Sequence, residues 1–258
     1  MSLTDEYPKE GSVESVVADG VATVEFWHPK GNSLPGTVLR RLAEQITAMG
    51  QRDDVRVIAL RSAREGPFCA GASFDELAAI QDEAQGKEFF LGFARVILAM
   101  IRCPKPIVTR VQGKVVGGGV GVVAASDYVI ATDKAQLRLS ELAVGLGPFV
   151  VGPAIQRKIG PGAFSAMALD ADWRSAKWAV EVGLYAQIQD SISGLDSAFD
   201  GFVQTLAKSN PDATARIKTT LWEGTDGWDR LLDERAVMSG TLVLSDYTRR
   251  AIEAFRNR

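Results

Sequence analysis

Residues 105–127 read Lys105-Pro-Ile-Val-Thr-Arg-Val-Gln-Gly-Lys-Val-Val-Gly-Gly-Gly-Val-Gly-Val-Val-Ala-Ala-Ser-Asp127. Ile107 to Val111 is short, apolar and β-branched, which predicts a strand. Gly117, Gly118 and Gly119 follow, and Val120 to Ser126 is a run of small apolar residues that predicts a buried helix. Consecutive glycines let the backbone turn sharply and bring bare N–H groups to a surface. At a helix N-terminus those groups face whatever sits there, and the helix dipole favours negative charge. Such a place holds a phosphate, or an oxyanion that forms during a reaction. Close helix–sheet packing also uses glycine, and the glycines alone leave both readings open.

The pattern extends in both directions. Tyr128 to Thr132 (YVIAT) reads as the next strand. Upstream, Phe89 to Ile101 (FFLGFARVILAMI) predicts a buried helix that Pro104 and Pro106 terminate. Val55 to Leu60 (VRVIAL) predicts a buried strand. Leu34, Val38, Leu42, Ile46 and Met49 recur at helical spacing. In Glu14 to Trp27, β-branched and aromatic residues flank Asp19-Gly20, a strong hairpin signal. Strands and helices therefore alternate through the first ~140 residues, the pattern of an α/β core with largely parallel strands. Beyond residue 160, alanine-rich and charged stretches predict helices at 161–170, 175–183, 193–209, 211–223, 227–238 and 244–257, an all-helical C-terminal third.

The 258 residues are enough for a substantial core without disulfides or a structural metal. A net charge of −3 argues against a basic, nucleic-acid-coating protein. Hydrophobic content of 46% and charged content of 24% are those of a globular domain. Cys69 and Cys103 are too few for a disulfide framework and point to a reducing compartment. The first residues, MSLTDEYPKEGS, lack a basic start and an apolar stretch, so no secretory signal is read there. Leu142 to Ile155 is nearly uncharged, but it is too short and too broken by Gly and Pro to span a bilayer. The expectation is a cytoplasmic protein with neither a nucleic acid nor a membrane as partner.

Several chemistries are disfavoured by what is missing. His28 is the only histidine, so a Ser-His-Asp or Cys-His mechanism would need that one residue, which precedes Pro29 at a strand end. Gly71-Ala72-Ser73-Phe74-Asp75 begins like a nucleophile elbow but lacks its final glycine. One histidine and two distant cysteines make no zinc cluster, and no metal is expected. Gly119-Val120-Gly121-Val122-Val123-Ala124 matches the G-x-G-x-x-A dinucleotide fingerprint, with Glu141 at the distance of a ribose-binding acid. Against it, Gly113, Gly117 and Gly118 make this turn longer than that fold needs. A nicotinamide-dependent oxidoreductase is therefore a competing reading, and it predicts saturable dinucleotide binding.

Phe68 to Leu77 (FCAGASFDEL) is a second loop leading into a helix, with Ser73 or Asp75 as its cap. Together with the glycine run it can supply two converging N–H donors, the number a thioester oxyanion needs. With these residues in view, the chain resembles the crotonase superfamily, the enoyl-CoA hydratase/isomerase family. Pro29-Lys30-Gly31-Asn32-Ser33-Leu34 is similar to the family's P-x-x-N-A-L. Phe68 to Leu77 is similar to its F-x-A-G-A-D-x-x-E-M. Lys105 to Asp127, continued by Ser140 to Leu146, resembles its K-P-x-I-A-A-V-x-G-x-x-x-G-G-G-x-E-L-A-x-x-C-D and later P-E-x-x-L-G. The likeness runs through most of residues 13 to 160.

The resemblance implies a crotonase (ClpP-like) α/β spiral of ββα units with a helical C-terminal extension. It implies a core over 1–195 and a helical oligomerisation and site-covering region over 196–258. It further implies an acyl-CoA thioester as substrate, no cofactor beyond the coenzyme A of that substrate, and a homotrimer or hexamer. The family's oxyanion hole maps to the N–H groups of Ala72 and Gly118. Its coenzyme A contacts map to Lys30, Gly31, Ala70, Ala72, Phe74 and Gly117. Arg256 and Arg258 are further, weaker candidates to meet coenzyme phosphates. The acyl pocket would be lined partly by 89–101 and by the C-terminal helices.

Hydratases of this family use two glutamates. The place of the first is Gly121 here, and the place of the second is Glu141, preceded by Ser140 instead of proline. Adding water needs a base for the water and an acid for carbon, whereas moving a double bond needs one carboxylate. Glu141 alone, with Leu146-Gly147-Pro148-Phe149 after it, leans to double-bond isomerisation, with hydration as the alternative. Burial among Leu139, Leu142 and Val144 would raise its pKa. Asp75 and Glu76 are lesser candidates to replace the missing acid. A non-catalytic acyl-CoA-binding subunit is the other alternative, and it predicts that Gly121→Glu restores hydration.

Overall fold

The structure, a computed structural model, describes residues 8–256. β1 (Ser12–Ala18) and β2 (Val21–Trp27) form an antiparallel hairpin. Asp19 and Gly20 turn it with φ of 50° and 80°. Two left-handed residues in a row suit the twist of the strands, which is why Asp-Gly sits there.

The chain then runs β3 (Ser33–Leu34), α1 (Gly36–Gly50), β4 (Val57–Ser62), β5 (Gly71–Ala72), α2 (Phe74–Ala79) and α3 (Glu83–Arg102). Next come β6 (Ile107–Val111), β7 (Val115–Val116), α4 (Gly118–Ala125), β8 (Tyr128–Thr132), β9 (Leu137–Arg138) and a 3₁₀ turn (Glu141–Val144). α5 (Gly152–Asp170), α6 (Ala176–Glu181), β10 (Gln187–Gln189), α7 (Ile192–Ala207), α8 (Pro211–Leu221), α9 (Trp228–Leu242) and α10 (Asp246–Arg256) complete it. The main sheet has the order β1-β2-β4-β6-β8-β10, parallel after the hairpin. The short strands pair separately, β3 with β5 and β7 with β9. A bridge from Cys69 to Val115 joins those pairs. Successive turns of chain thus lay down a long strand and a short one before returning through helix, which is the ββα spiral.

Both faces of the main sheet are covered. Ala22, Val24, Phe26, Ile58 and Leu60 enter the large core with α1 and α3. Val21, Val57, Ala59, Val108 and Ile130 meet Leu195, Phe199 and Val203 of α7. Strands buried on two faces are apolar throughout, so they read as continuous runs rather than alternating ones. α8 is tied to the core through Asp127. Lys218 Nζ donates to Asp127 Oδ2 at 2.6 Å and Trp222 Nε1 to Oδ1 at 2.9 Å. The Ile107 N–H also donates to Oδ2, at 2.7 Å.

Two expectations are corrected and one is extended. The chain beyond residue 160 is not all helix, because β10 pairs with β8 and adds the sixth strand, Gln187 opposite Ile130. Two glutamines around one isoleucine carry no period, so the strand exists through its neighbour rather than its own pattern. The helix expected at 161–170 is present from Pro161, and a further helical stretch from Gly152, with Pro153 in its first turn, precedes it across a break at Gly160 (φ 77°, ψ 164°). The segment from Phe68, read as a loop leading into a helix, holds a short strand before that helix, since Gly71 and Ala72 pair with Ser33 and Leu34.

Candidate active site

Gly71 and Ala72 lead into α2, whose cap is Ser73: its Oγ accepts from the Glu76 N–H at 3.3 Å. Gly117, at φ 53° and ψ −119°, turns β7 into α4. The two turns lie against each other, with the Val116 N–H donating to the Cys69 carbonyl at 2.8 Å. Gly71 has φ 91°, and a Cβ built on it would stand 3.9 Å from the Gly118 nitrogen. Gly118 opens α4, and among the described residues its N–H has no hydrogen-bond acceptor. Next along, a Cβ on Gly119 would stand 2.7 Å from Cys69 Cβ. Glycine is needed at 119 for packing, and at 117 for backbone conformation.

Glu141 begins the 3₁₀ turn that follows β9. β9 is held to the glycine run, as the Gly117 N–H donates to the Arg138 carbonyl at 2.9 Å. A Cβ built on Gly117 would stand 3.4 Å from Glu141 Oε1, so the carboxylate lies on a bare α-carbon. Glu141 Oε2 is shut off from solvent and has no hydrogen-bond partner among the described residues. Burial outweighs the local backbone hydrogen bonds and pushes the carboxyl up to about 7. The neighbours differ in part from those expected: Leu139 is buried, but Leu142 is 44% exposed and is not in the cavity wall.

Ala70, Gly71, Ala72, Gly117, Gly118 and Glu141 wall one cavity of about 750 Å³. Its remaining wall is largely apolar, with Phe74, Phe89, Phe90, Phe93, Phe149, Val150 and Val151. Ser239, Ala251 and Ala254 of α9 and α10 close it. A smaller concavity of about 290 Å³ lies beside α7 on the other face of the sheet, lined by Val21, Arg61, Phe199 and Asp200. It is remote from these groups.

The first glutamate's place is filled. A Cβ on Gly121 would stand 2.6 Å from Val151 Cγ1 and 3.2 Å from Ile97 Cδ1. Gly121→Glu alone therefore meets a wall, which corrects the expectation that it would restore a second acid. Asp75 and Glu76 are not replacements. Asp75 pairs with Lys30, and Glu76 Oε2 accepts the Gly36 N–H at 2.8 Å at the start of α1.

Other chemistries lose their residues as well. His28 is buried away from the cavity, its backbone N–H donating to Asn32 Oδ1 at 2.7 Å. Burial, reinforced by Lys30, holds its imidazole below the ordinary range. Burial pushes the Cys69 thiol up to about 12, so it stays protonated. The Gly-x-Gly-x-x-Ala match lies inside buried α4, where its glycines serve packing rather than approach to a pyrophosphate.

A sequence profile described as enoyl-CoA hydratase/isomerase matches residues 17–251. The chain belongs to the enoyl-CoA hydratase/isomerase family. The carnitinyl-CoA dehydratase of Proteus mirabilis (strain HI4320) is 25% identical to it over 219 residues, 84% of this chain and 80% of that protein. The trans-2-decenoyl-[acyl-carrier-protein] isomerase of Streptococcus mutans is 24% identical over 246 residues, 93% of this chain and 92% of that protein. The (7aS)-7a-methyl-1,5-dioxo-2,3,5,6,7,7a-hexahydro-1H-indene-carboxyl-CoA hydrolase of Rhodococcus jostii is 31% identical over 132 residues, and the match spans about half of that protein, 51%. Among solved structures, an enoyl-CoA hydratase from Bacillus halodurans superposes with a TM-score of 0.86 at 20% identity. That superposition covers 94% of this chain and 99% of the other, and it establishes the crotonase fold.

In this member of the enoyl-CoA hydratase/isomerase family, most residues singled out from sequence meet at one place. Ala70, Ala72, Phe74, Gly117, Gly118 and Glu141 share the cavity. Lys30 and Gly31 are not among its walls; Lys30 is exposed and reaches Asp75, next to Phe74. Arg256 ends α10, and Arg258 lies outside the described residues. Arg138, Val151 and Trp173 line the cavity without having been singled out, and Phe149 joins them from the 146–149 segment. Phe149 and Val151 lie in the uncharged 142–155 run, whose apolar character was the available signal.

Proposed function

We propose that this chain moves protons on the acyl group of a coenzyme A thioester, with Glu141 as the acid–base and the N–H groups of Ala72 and Gly118 as oxyanion donors. The observation that carries the reading is their common cavity: a carboxyl poised near neutrality shares one largely apolar space with two backbone turns. Gly118 opens the buried α4 and Ala72 lies in β5, and donors fixed in this way need no reorganisation as charge develops on the thioester oxygen. Coenzyme A would lie along Ala70, Phe74 and Gly117, with Lys30 and Gly31 at the mouth. No cofactor besides that coenzyme is required.

Within this chemistry we favour double-bond isomerisation. Glu141 takes a proton from C2 of a 3-enoyl thioester, the electron pair delocalises into the thioester as a dienolate, and the same carboxyl returns a proton at C4. One acid–base serves both steps and ends as it began. Hydration would need a second group to handle water, and Val151 and Ile97 fill the space where a residue-121 side chain would start. The names of two relatives, a dehydratase and an isomerase, span these two chemistries.

Residues 196–258 are proposed to cover the site and to build a homotrimer, or a hexamer of two trimers. Support comes from α9 and α10 in the cavity wall and from exposed apolar residues such as Ile217, Leu221, Val237 and Met238 on α8 and α9. Among the described residues no helix is long and apolar enough to cross a membrane. A cytoplasmic setting suits the two free thiols.

The test is mass spectrometry of a 2-enoyl-CoA and its 3-enoyl isomer after incubation in heavy water. Carbon-bound deuterium with interconversion of the isomers is the expected result. Gain of a whole heavy water would replace isomerisation by hydration. Binding without change in either substrate would point to a non-catalytic acyl-CoA-binding subunit.

A further inference from the structure

Arg138 is the one cation among the described residues that wall the cavity. Leu137 bridges antiparallel to Arg174, with N–H to carbonyl bonds of 3.0 and 2.8 Å in the two directions. That register sets Arg138 beside Trp173. Leu137 is fully buried in the core, and the alternation of a strand turns Arg138 to the opposite face, where Trp173 also lines the cavity.

The guanidinium is anchored. Its Nε donates to the Ala171 carbonyl at 2.5 Å. Ala171 holds φ 50°, an uncommon conformation for a residue with a side chain, and ends α5 there. Five N–H donors in a fixed fork are available to an arginine, and this bond uses one. Among the described residues no carboxylate pairs with Arg138, Glu141 included. The nearby cations are otherwise placed: Lys114 lies over the Trp173 ring at 5.0 Å, and Arg174 pairs with Asp170.

A guanidinium stays charged at every working pH, and a partly desolvated one is best satisfied by a planar anion that takes two parallel hydrogen bonds. We propose that Arg138 selects acyl chains ending in a carboxylate, so that the substrate class is a coenzyme A thioester of a dicarboxylic acid. The proposal rests on the acyl-CoA reading above and deepens it by naming the far end of the chain. Apolar Phe93 and Phe149 accommodate the methylenes between thioester and carboxylate.

The experiment is calorimetric binding of saturated, unreactive ligands, so that it does not depend on which reaction Glu141 supports. Adipyl-CoA and suberyl-CoA are compared with hexanoyl-CoA and octanoyl-CoA on the full-length wild-type chain, Arg138→Met and Arg138→Lys. The wild type should bind the dicarboxylic ligands about tenfold to a hundredfold more tightly, the scale of a charge-assisted contact. Arg138→Met should erase that preference while leaving the monocarboxylic ligands within a few-fold, and Arg138→Lys should keep part of it. A wild type that prefers hexanoyl-CoA or shows no preference overturns the proposal while the acyl-CoA reading stands. Equal weakening of all four ligands in Arg138→Met also overturns it, in favour of a coenzyme phosphate contact. Binding of none of the four removes the acyl-CoA reading and the proposal together. Should Arg138→Met not fold, the wild-type preference and Arg138→Lys still decide.

Discussion

Glu141 carries a buried oxygen with no partner among the described residues, so its charged form is costly in the folded chain. With the carboxyl at about 7, the ionised base forms as pH rises, and kcat should climb through neutrality to a plateau. Glu141→Gln should lose deuterium exchange by about 10²- to 10⁴-fold; full turnover in that variant would exclude Glu141 as the proton carrier. The same shift acts on stability. Between the ordinary value of 4.5 and about 7 the folded chain holds a proton that the unfolded chain releases. The wild type therefore loses stability as pH rises through that window and levels off above it. Replacing the acid by glutamine removes this dependence. The Tm of Glu141→Gln minus that of wild type should grow from pH 4 to pH 8, and a constant difference would contradict the burial of the charge. At Gly121, a glutamate meets Val151 and Ile97, and overpacking typically costs about 1–3 kcal/mol. Gly121→Glu should melt well below wild type, and adding Val151→Gly should recover part of the loss.

At the level of elements, the C-terminal helices are held by two contacts of different physical kind. α3 and α9 cross at glycines: a Cβ on Gly86 would stand 2.8 Å from Gly240 Cα, and one on Gly240 would stand 2.7 Å from the Lys87 nitrogen. Backbone on backbone leaves nothing to yield. Gly86→Ala or Gly240→Ala should each cost about 1–3 kcal/mol in urea unfolding. Because α9 carries Ser239 into the cavity wall, KM should rise as well. α8 is held instead by the buried pair of Lys218 and Asp127, with side chains 3% and 8% exposed. Lys218→Ala leaves Asp127 charged and buried, and should cost about 3–5 kcal/mol. A volume-matched Asp127→Asn/Lys218→Met double variant should be less damaged than Lys218→Ala alone. Elements also differ in how far their sequence announces them. The hairpin is legible because Asp19 and Gly20 must adopt positive φ, a demand local to two residues. β10 is not, because three residues with two glutamines become a strand only when β8 offers an edge.

For the whole molecule, exposed apolar side chains on α8 and α9 are the surface that the proposed assembly would cover. Light scattering at micromolar concentration should give three or six times the chain mass; a monomer would refute the assembly. The alternation of strand and helix, the Asp-Gly turn, the glycines that start α4 and the acid at 141 were all determined by sequence. Each expresses a local demand, whether a backbone angle, a period or a residue type at a motif position, and local demands are written where they act. The cavity's composition was decided only by tertiary structure. Val151 stands against Gly121, Trp173 stands beside Arg138, and Phe93 covers the α-carbon of Gly118. These neighbours come from separate turns of the spiral, and their meeting depends on which strands pair and which helices cross. One linear pattern cannot encode those distances, so the identity of the groups around the motif emerges only when the chain is packed.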